Sequence, residues 1–125
     1  MKPHIGRFGL LAAAAASLLV GCAAPATPPL YQWNGYQRQV YAYFQGKTAA
    51  REQIDALEKA LQEIRGKGNL PPPGFHAQLG MLYASTGDVQ RAAQGFEAEK
   101  QLFPESAVYM DFLLKTPAPQ AARQP

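Results

Sequence analysis

The chain has 125 residues, twelve Lys and Arg against nine Asp and Glu, and one cysteine. That length fits one small domain with a modest core. A lone thiol excludes an internal disulfide, and a net charge of +3 with no basic run gives nucleic-acid binding little electrostatic support.

The N-terminus has the parts of a secretory signal. Lys2 and Arg7 supply positive charge, and Phe8 to Val20 form an apolar stretch of about thirteen residues. A comfortable transmembrane helix needs about twenty. The stretch runs into Leu19-Val20-Gly21-Cys22, which resembles the bacterial lipobox. The resemblance implies a lipoprotein precursor: residues 1–21 are a cleaved signal peptide, and Cys22 carries diacylglycerol on sulfur and an acyl chain such as palmitate on its amine. Two or more acyl chains hold a protein on a membrane almost permanently. Ala23, where aspartate would favour inner-membrane retention, implies the outer membrane of a diderm host, facing the periplasm. An ordinary secretory signal with a chance cysteine, or a cytosolic protein with an apolar N-terminus, are the competing readings.

Without residues 1–21 the balance is ten basic to nine acidic residues, a net charge of +1. Residues 22–30 then read as a lipidated tether, whose Ala23 to Pro29 are rich in proline and small residues. The folded part is expected over 31–115, and 116–125, with Pro117, Pro119, Arg123 and Pro125, as a disordered tail.

Inside 31–115 the pattern is all-α, with about five helices and at most a brief extended piece at Tyr31 to Trp33. An Asn34-Gly35 turn signal precedes an aromatic first helix containing Tyr36, Val40, Tyr41, Tyr43 and Phe44. Thr48 is the expected N-cap of a second helix, on which Ile54, Leu57, Leu61 and Ile64 recur at three- and four-residue steps. Gly66, Gly68, Asn69 and three prolines end it. Phe75, Leu79, Leu82 and Tyr83 mark a third helix that stops at Gly87. Asp88 caps a fourth, lined by Val89, Ala92, Ala93, Phe96 and Phe103. Pro104 closes that helix, and Ser106 is the expected cap of a short fifth one ending near Leu114.

The 34 residues from Pro73 to Ser106 resemble a tetratricopeptide unit. Leu79-Gly80 with Tyr83, then Ala92, Phe96 and Pro104, fall at that motif's positions, and the Gly87-Asp88 turn falls between its helices. Gly80 and Ala92 are expected where the two helices approach closely, with Tyr83 and Phe96 filling the space beside them. His76 and Glu99 depart from the pattern, replacing a large apolar and a small residue. The Tyr36–Arg65 pair reads as a degenerate earlier unit with Ala56 at its small position. Met110 and Leu113 suit the first helix of a following unit, and Leu114, in the Gly80 register, suits a terminal cap.

Three strings carry a further resemblance: Tyr31-Gln32-Trp33-Asn34-Gly35-Tyr36, Pro72-Pro73-Gly74-Phe75-His76-Ala77, and Phe103-Pro104-Glu105-Ser106 continuing to Met110-Asp111-Phe112-Leu113-Leu114. They resemble a small bacterial lipoprotein family catalogued as domain of unknown function 4810, over nearly all of the mature chain. The resemblance implies one part of an envelope complex, since such members are often encoded beside a lipoprotein similar to the curli secretion channel and a second small lipoprotein. It lends no activity.

Reactive groups are few. After signal removal His76 is the sole histidine, so no zinc site of usual composition can form. Ser85 and Ser106 lack a nucleophile-elbow context, Gly66-Lys67-Gly68 lacks phosphate-loop spacing, and Glu97 and Glu99 are expected on a solvated surface. No catalytic residue, metal or cofactor is therefore expected beyond the covalent lipid. Two partner-binding surfaces are expected instead. In the repeat register Ala77, Met81, Ala84 and Ser85 would line a concave groove suited to an apolar segment, the alternative being that with so few repeats the capping helix fills this face itself. The rings of Tyr31, Trp33, Tyr36, Tyr41, Tyr43 and Phe44 form the second, with at least half of them expected in the core and Trp33 and Tyr36 named as contacts. The expected function is a non-enzymatic outer-membrane accessory or assembly factor, possessing a membrane anchor and an envelope-protein partner. The alternatives are a small envelope enzyme or ligand- or peptidoglycan-binding domain, which needs a polar pocket around His76 or the acidic residues, and a self-associating structural lipoprotein.

Overall fold

A computed structural model of the chain describes residues 27–116. The expected signal segment 1–21, Cys22, most of the expected tether and the expected tail from Pro117 lie outside the described residues. Those described are all-helical, with no strand among them. The helices are α1 (Tyr36–Gln45), α2 (Ala50–Gly66), α3 (Phe75–Ser85), α4 (Val89–Leu102) and α5 (Ala107–Lys115), with a 3-10 turn at Pro104–Ser106. Among them no helix is long and apolar enough to cross a membrane.

Local chemistry sets most of the boundaries. Asn34 and Gly35 both have positive φ, 35° and 77°, which turns the chain into α1. Asp88 caps α4, its Oδ1 accepting the Arg91 N–H at 3.0 Å. Two expected caps are corrected. Ala49, not Thr48, precedes α2, and the Thr48 carbonyl instead accepts from Gln53 Nε2 at 2.9 Å. Ser106 does sit before α5, but its hydroxyl donates back to the Phe103 carbonyl at 2.7 Å rather than capping forward.

The core lies where α2, α3 and α4 meet. It contains Ile54, Leu57, Leu61 and Ile64 from α2, Phe75, Leu79, Leu82 and Tyr83 from α3, and Ala92 and Phe96 from α4. Met110 joins it from α5, and Leu113 and Leu114 pack against it. Burying a large apolar side chain contributes about 1.5–3 kcal/mol, so this cluster dominates stability.

The tightest joint is α3 against α4. A Cβ on Gly80 would lie 2.7 Å from the Phe96 ring and 3.0 Å from the Ala92 carbonyl oxygen. One on Gly95 would lie 2.8 Å from the His76 carbonyl and 2.9 Å from the Gly80 Cα. The close approach expected at Gly80 and Ala92 is present, and Gly95 is a third member that spacing did not reveal.

The N-terminal stretch is tied to α2 and to the loop after it. Gln32 N–H donates to the Leu70 carbonyl at 2.9 Å, and Asn34 Nδ2 donates to Glu63 Oε2 at 3.1 Å. At the other end, Lys100 on α4 bridges to Asp111 on α5 at 2.9 Å.

Candidate functional site

Glu99 is the main correction to the surface expected from sequence. Glu97 does face solvent, paired with Lys100 at 3.2 Å, but Glu99 is 2% exposed. Its Oε1 accepts the Gly74 N–H at 2.6 Å, and its Oε2 accepts those of His76 and Ala77 at 3.1 and 3.2 Å. The first turn of a helix leaves N–H groups without partners, and a carboxylate there also meets the positive end of the helix dipole. Glu99 therefore acts as the cap that α3 lacks in its own sequence, since its N-cap residue is Gly74.

The first of the three strings that carry the family resemblance touches both of the others. Tyr36 packs against Phe75 with ring centroids 5.2 Å apart, and its hydroxyl lies where a Gly74 side chain would begin. Tyr31 meets Phe103 edge-on at 5.8 Å. Burial and then the Glu99 charge push the Tyr36 phenol up to about 12.

The groove expected from the repeat register is corrected. Ala77 and Ala84 are buried in the core, Met81 is partly buried against it, and the Ser85 hydroxyl donates to the Leu82 carbonyl at 2.7 Å. The reason is the composition of α3: no charged residue stands between Phe75 and Ser85, so the helix is apolar nearly all round and is buried on nearly all sides. Met110, Leu113 and Leu114 of α5 belong to the same cluster.

The aromatic surface is more exposed than expected. Helix α1 buries none of its residues completely. Tyr36 packs against the core, but Trp33, Tyr41, Tyr43 and Phe44 are exposed, Tyr41 by 65% and Phe44 by 80%. A matching feature at the other end was not foreseen. Tyr109 and Phe112 of α5 are 56% and 59% exposed and stack at 6.2 Å, next to Val108. Their i, i+3 spacing on a helix whose inward positions are Met110, Leu113 and Leu114 was the available signal.

A cleft of about 340 Å³ opens between α2, α3 and α4, lined among others by Glu58, Arg65, His76, Tyr83, Arg91 and Gln94. The Tyr83 hydroxyl donates to Glu58 Oε1. Arg91 Nη1 donates to that hydroxyl at 3.2 Å, reaches Glu58 at 3.8 Å, and its Nε lies 3.4 Å from Asp88. Burial, then the hydrogen bond to Glu58, raises the Tyr83 phenol above its ordinary value. His76 is 4% exposed, and burial followed by the nearby Arg65 charge lowers its imidazole to about 4, so the ring is neutral at pH 7. Among the described residues no group of three His, Cys, Asp or Glu side chains is placed to hold a metal ion.

Fold and site together define a small all-α domain of packed helical hairpins, with exposed aromatic ends and a cleft between α2, α3 and α4. The profile of the family described as "Domain of unknown function (DUF4810)" matches residues 30–113, and the chain belongs to that family. No curated protein and no solved structure matches it.

Proposed function

We propose that the protein is a non-enzymatic bacterial lipoprotein, held in the outer membrane by acyl chains on Cys22 and facing the periplasm. Its helical domain docks an envelope protein and acts as an accessory or assembly factor. The observation that carries this reading is the pair of exposed ring sets at the two ends of the domain, Tyr41 and Phe44 on α1 and Tyr109 and Phe112 on α5. Contiguous exposed apolar surface marks interaction sites, and aromatic side chains are enriched among the residues that dominate binding energy.

Within this reading Pro73–Ser106 is a tetratricopeptide-like unit, supported by the tight Gly80–Phe96 contact and the Gly87-Asp88 turn. The non-enzymatic assignment is supported by how the acidic groups are used. Glu99 is consumed by three backbone N–H groups, and Glu58 by Tyr83 and Arg91. A lipoprotein similar to the curli secretion channel is the partner that the family resemblance suggests. The test is a pull-down with the full chain from detergent-solubilised envelopes. A specific partner recovered by the parent and lost with a Phe44→Ser, Phe112→Ser double variant supports the proposal; recovery of none counts against it.

A further inference from the structure

We propose that the cleft between α2, α3 and α4 binds a small carboxylate with a mixed apolar and amide body, its charged end held between Arg65 and His76. This goes beyond docking through the aromatic ends, because it uses a different surface and a different chemistry.

The charges in the cleft are unevenly committed. Arg91 is tied to Glu58, Asp88 and the Tyr83 hydroxyl, and the Glu58 carboxylate is met by that same hydroxyl and guanidinium. Among the described residues Arg65, near the end of α2, has no carboxylate within ion-pair distance. The unbalanced charge of the cleft is therefore a single guanidinium.

His76 supplies the second element. Its backbone N–H is taken by Glu99, yet among the described residues its nearly buried imidazole makes no side-chain hydrogen bond. The ring lines the cleft. A carboxylate there would accept from both the Arg65 fork and the imidazole N–H, a charge-assisted arrangement. A phosphate dianion suits the site less, because only one positive charge is unspent and Glu58 faces the same space.

The remaining walls set the rest of the ligand. Leu61, Leu79 and Ala98 give the cleft an apolar wall, and Tyr83 and Gln94 a polar one, so the ligand body is of mixed character. The cleft volume of about 340 Å³ lies at the small end of ligand pockets, room for roughly a dozen non-hydrogen atoms.

The experiment titrates the full chain in detergent with acetyl-alanyl-alanine, its C-terminal amide, and inorganic phosphate. The His76 ring resonance, identified by its loss in His76→Gln, is the readout. The free acid should give a saturable shift at millimolar concentrations or below, and the His76 titration midpoint should rise by about one unit, since a neighbouring anion favours imidazolium. The amide should bind at least about tenfold more weakly. Arg65→Gln, at an exposed position, should weaken the acid about tenfold, and Glu58→Gln should strengthen it by removing the opposing charge. The proposal is overturned if the acid gives no saturable shift up to about 10 mM, if the amide binds equally, if Arg65→Gln has no effect, or if phosphate binds as tightly as the acid.

Discussion

Glu99 on α4 and Gly74 at the start of α3 are joined by a 2.6 Å hydrogen bond from a backbone N–H to a buried carboxylate. Two further N–H groups, of His76 and Ala77, share the same side chain. One residue thus both ends the exposure of the α3 N-terminus and locks the hairpin that places His76 in the cleft. Glu99→Ala should cost about 3 kcal/mol, because a buried donor left without an acceptor costs about 1–3 kcal/mol and here three lose theirs, with water recovering part. Glu97→Ala, on the solvent side of the same helix, should be indistinguishable from the parent. Urea denaturation of both variants checks this.

The α3–α4 joint gives a steric prediction. At Gly95 an added methyl would meet the His76 carbonyl and the Gly80 Cα, both backbone atoms that cannot step aside. Gly95→Ala should therefore destabilise by about 2–3 kcal/mol despite the better helix propensity of alanine. Gly80→Ala should cost somewhat less where the Phe96 ring can shift, although the Ala92 carbonyl remains close. Gly66→Ala, at the end of α2 with nothing within 4 Å, should be neutral or stabilising by under about 1 kcal/mol. Thermal or chemical unfolding of the three variants distinguishes these outcomes.

His76 predicts an acid-side loss of stability. Its folded value of about 4 lies below the ordinary 6.5, so between the two the unfolded chain binds more protons. Its contribution is therefore full above pH 6.5 and is lost as pH falls through about 4. Each pK unit corresponds to about 1.4 kcal/mol, so the full effect is at most about 3.5 kcal/mol. The parent should lose stability between pH 7 and pH 5 in urea titrations, and His76→Leu should lose distinctly less over the same interval.

Membrane attachment is predicted to depend on one atom. With Cys22→Ser no thioether can form, so incorporation of labelled palmitate should disappear and the protein should leave the membrane fraction. Mass spectrometry of the parent should find residues 1–21 absent and lipid on Cys22. A mature chain that retains Met1, or an unmodified Cys22, contradicts the anchor.

Much of the fold was legible because its signals are local. Asp88 sits immediately before a helical pattern, Asn34-Gly35 needs positive φ, and the Ile54-Leu57-Leu61-Ile64 stripe is buried as its period requires. Glu99 was misjudged because a carboxylate is buried only when distant groups meet it, and its partners lie 22 to 25 residues away. A trace was present: Ala92, Phe96, Glu99 and Phe103 fall at helical steps on one buried stripe. At Ala77 and Ala84 the structure has the filled face rather than the open groove. The repeat register assigns a concave face, but the apolar run of α3 demands enclosure, and burial won. The core fate expected for half of the N-terminal rings failed because α1 packs mainly on α2 and turns Tyr41 and Phe44 outward.

Photo-crosslinking in intact cells shows whether the tethered domain docks an envelope partner through its aromatic ends. A photoreactive phenylalanine analogue would replace Phe44 in one strain and Phe112 in another. We expect a discrete adduct with a different envelope protein from at least one position, weakened when Cys22→Ser releases the domain from the membrane. No adduct at either position, or adducts only with a second copy of this chain, would rule out docking of an envelope partner through these rings.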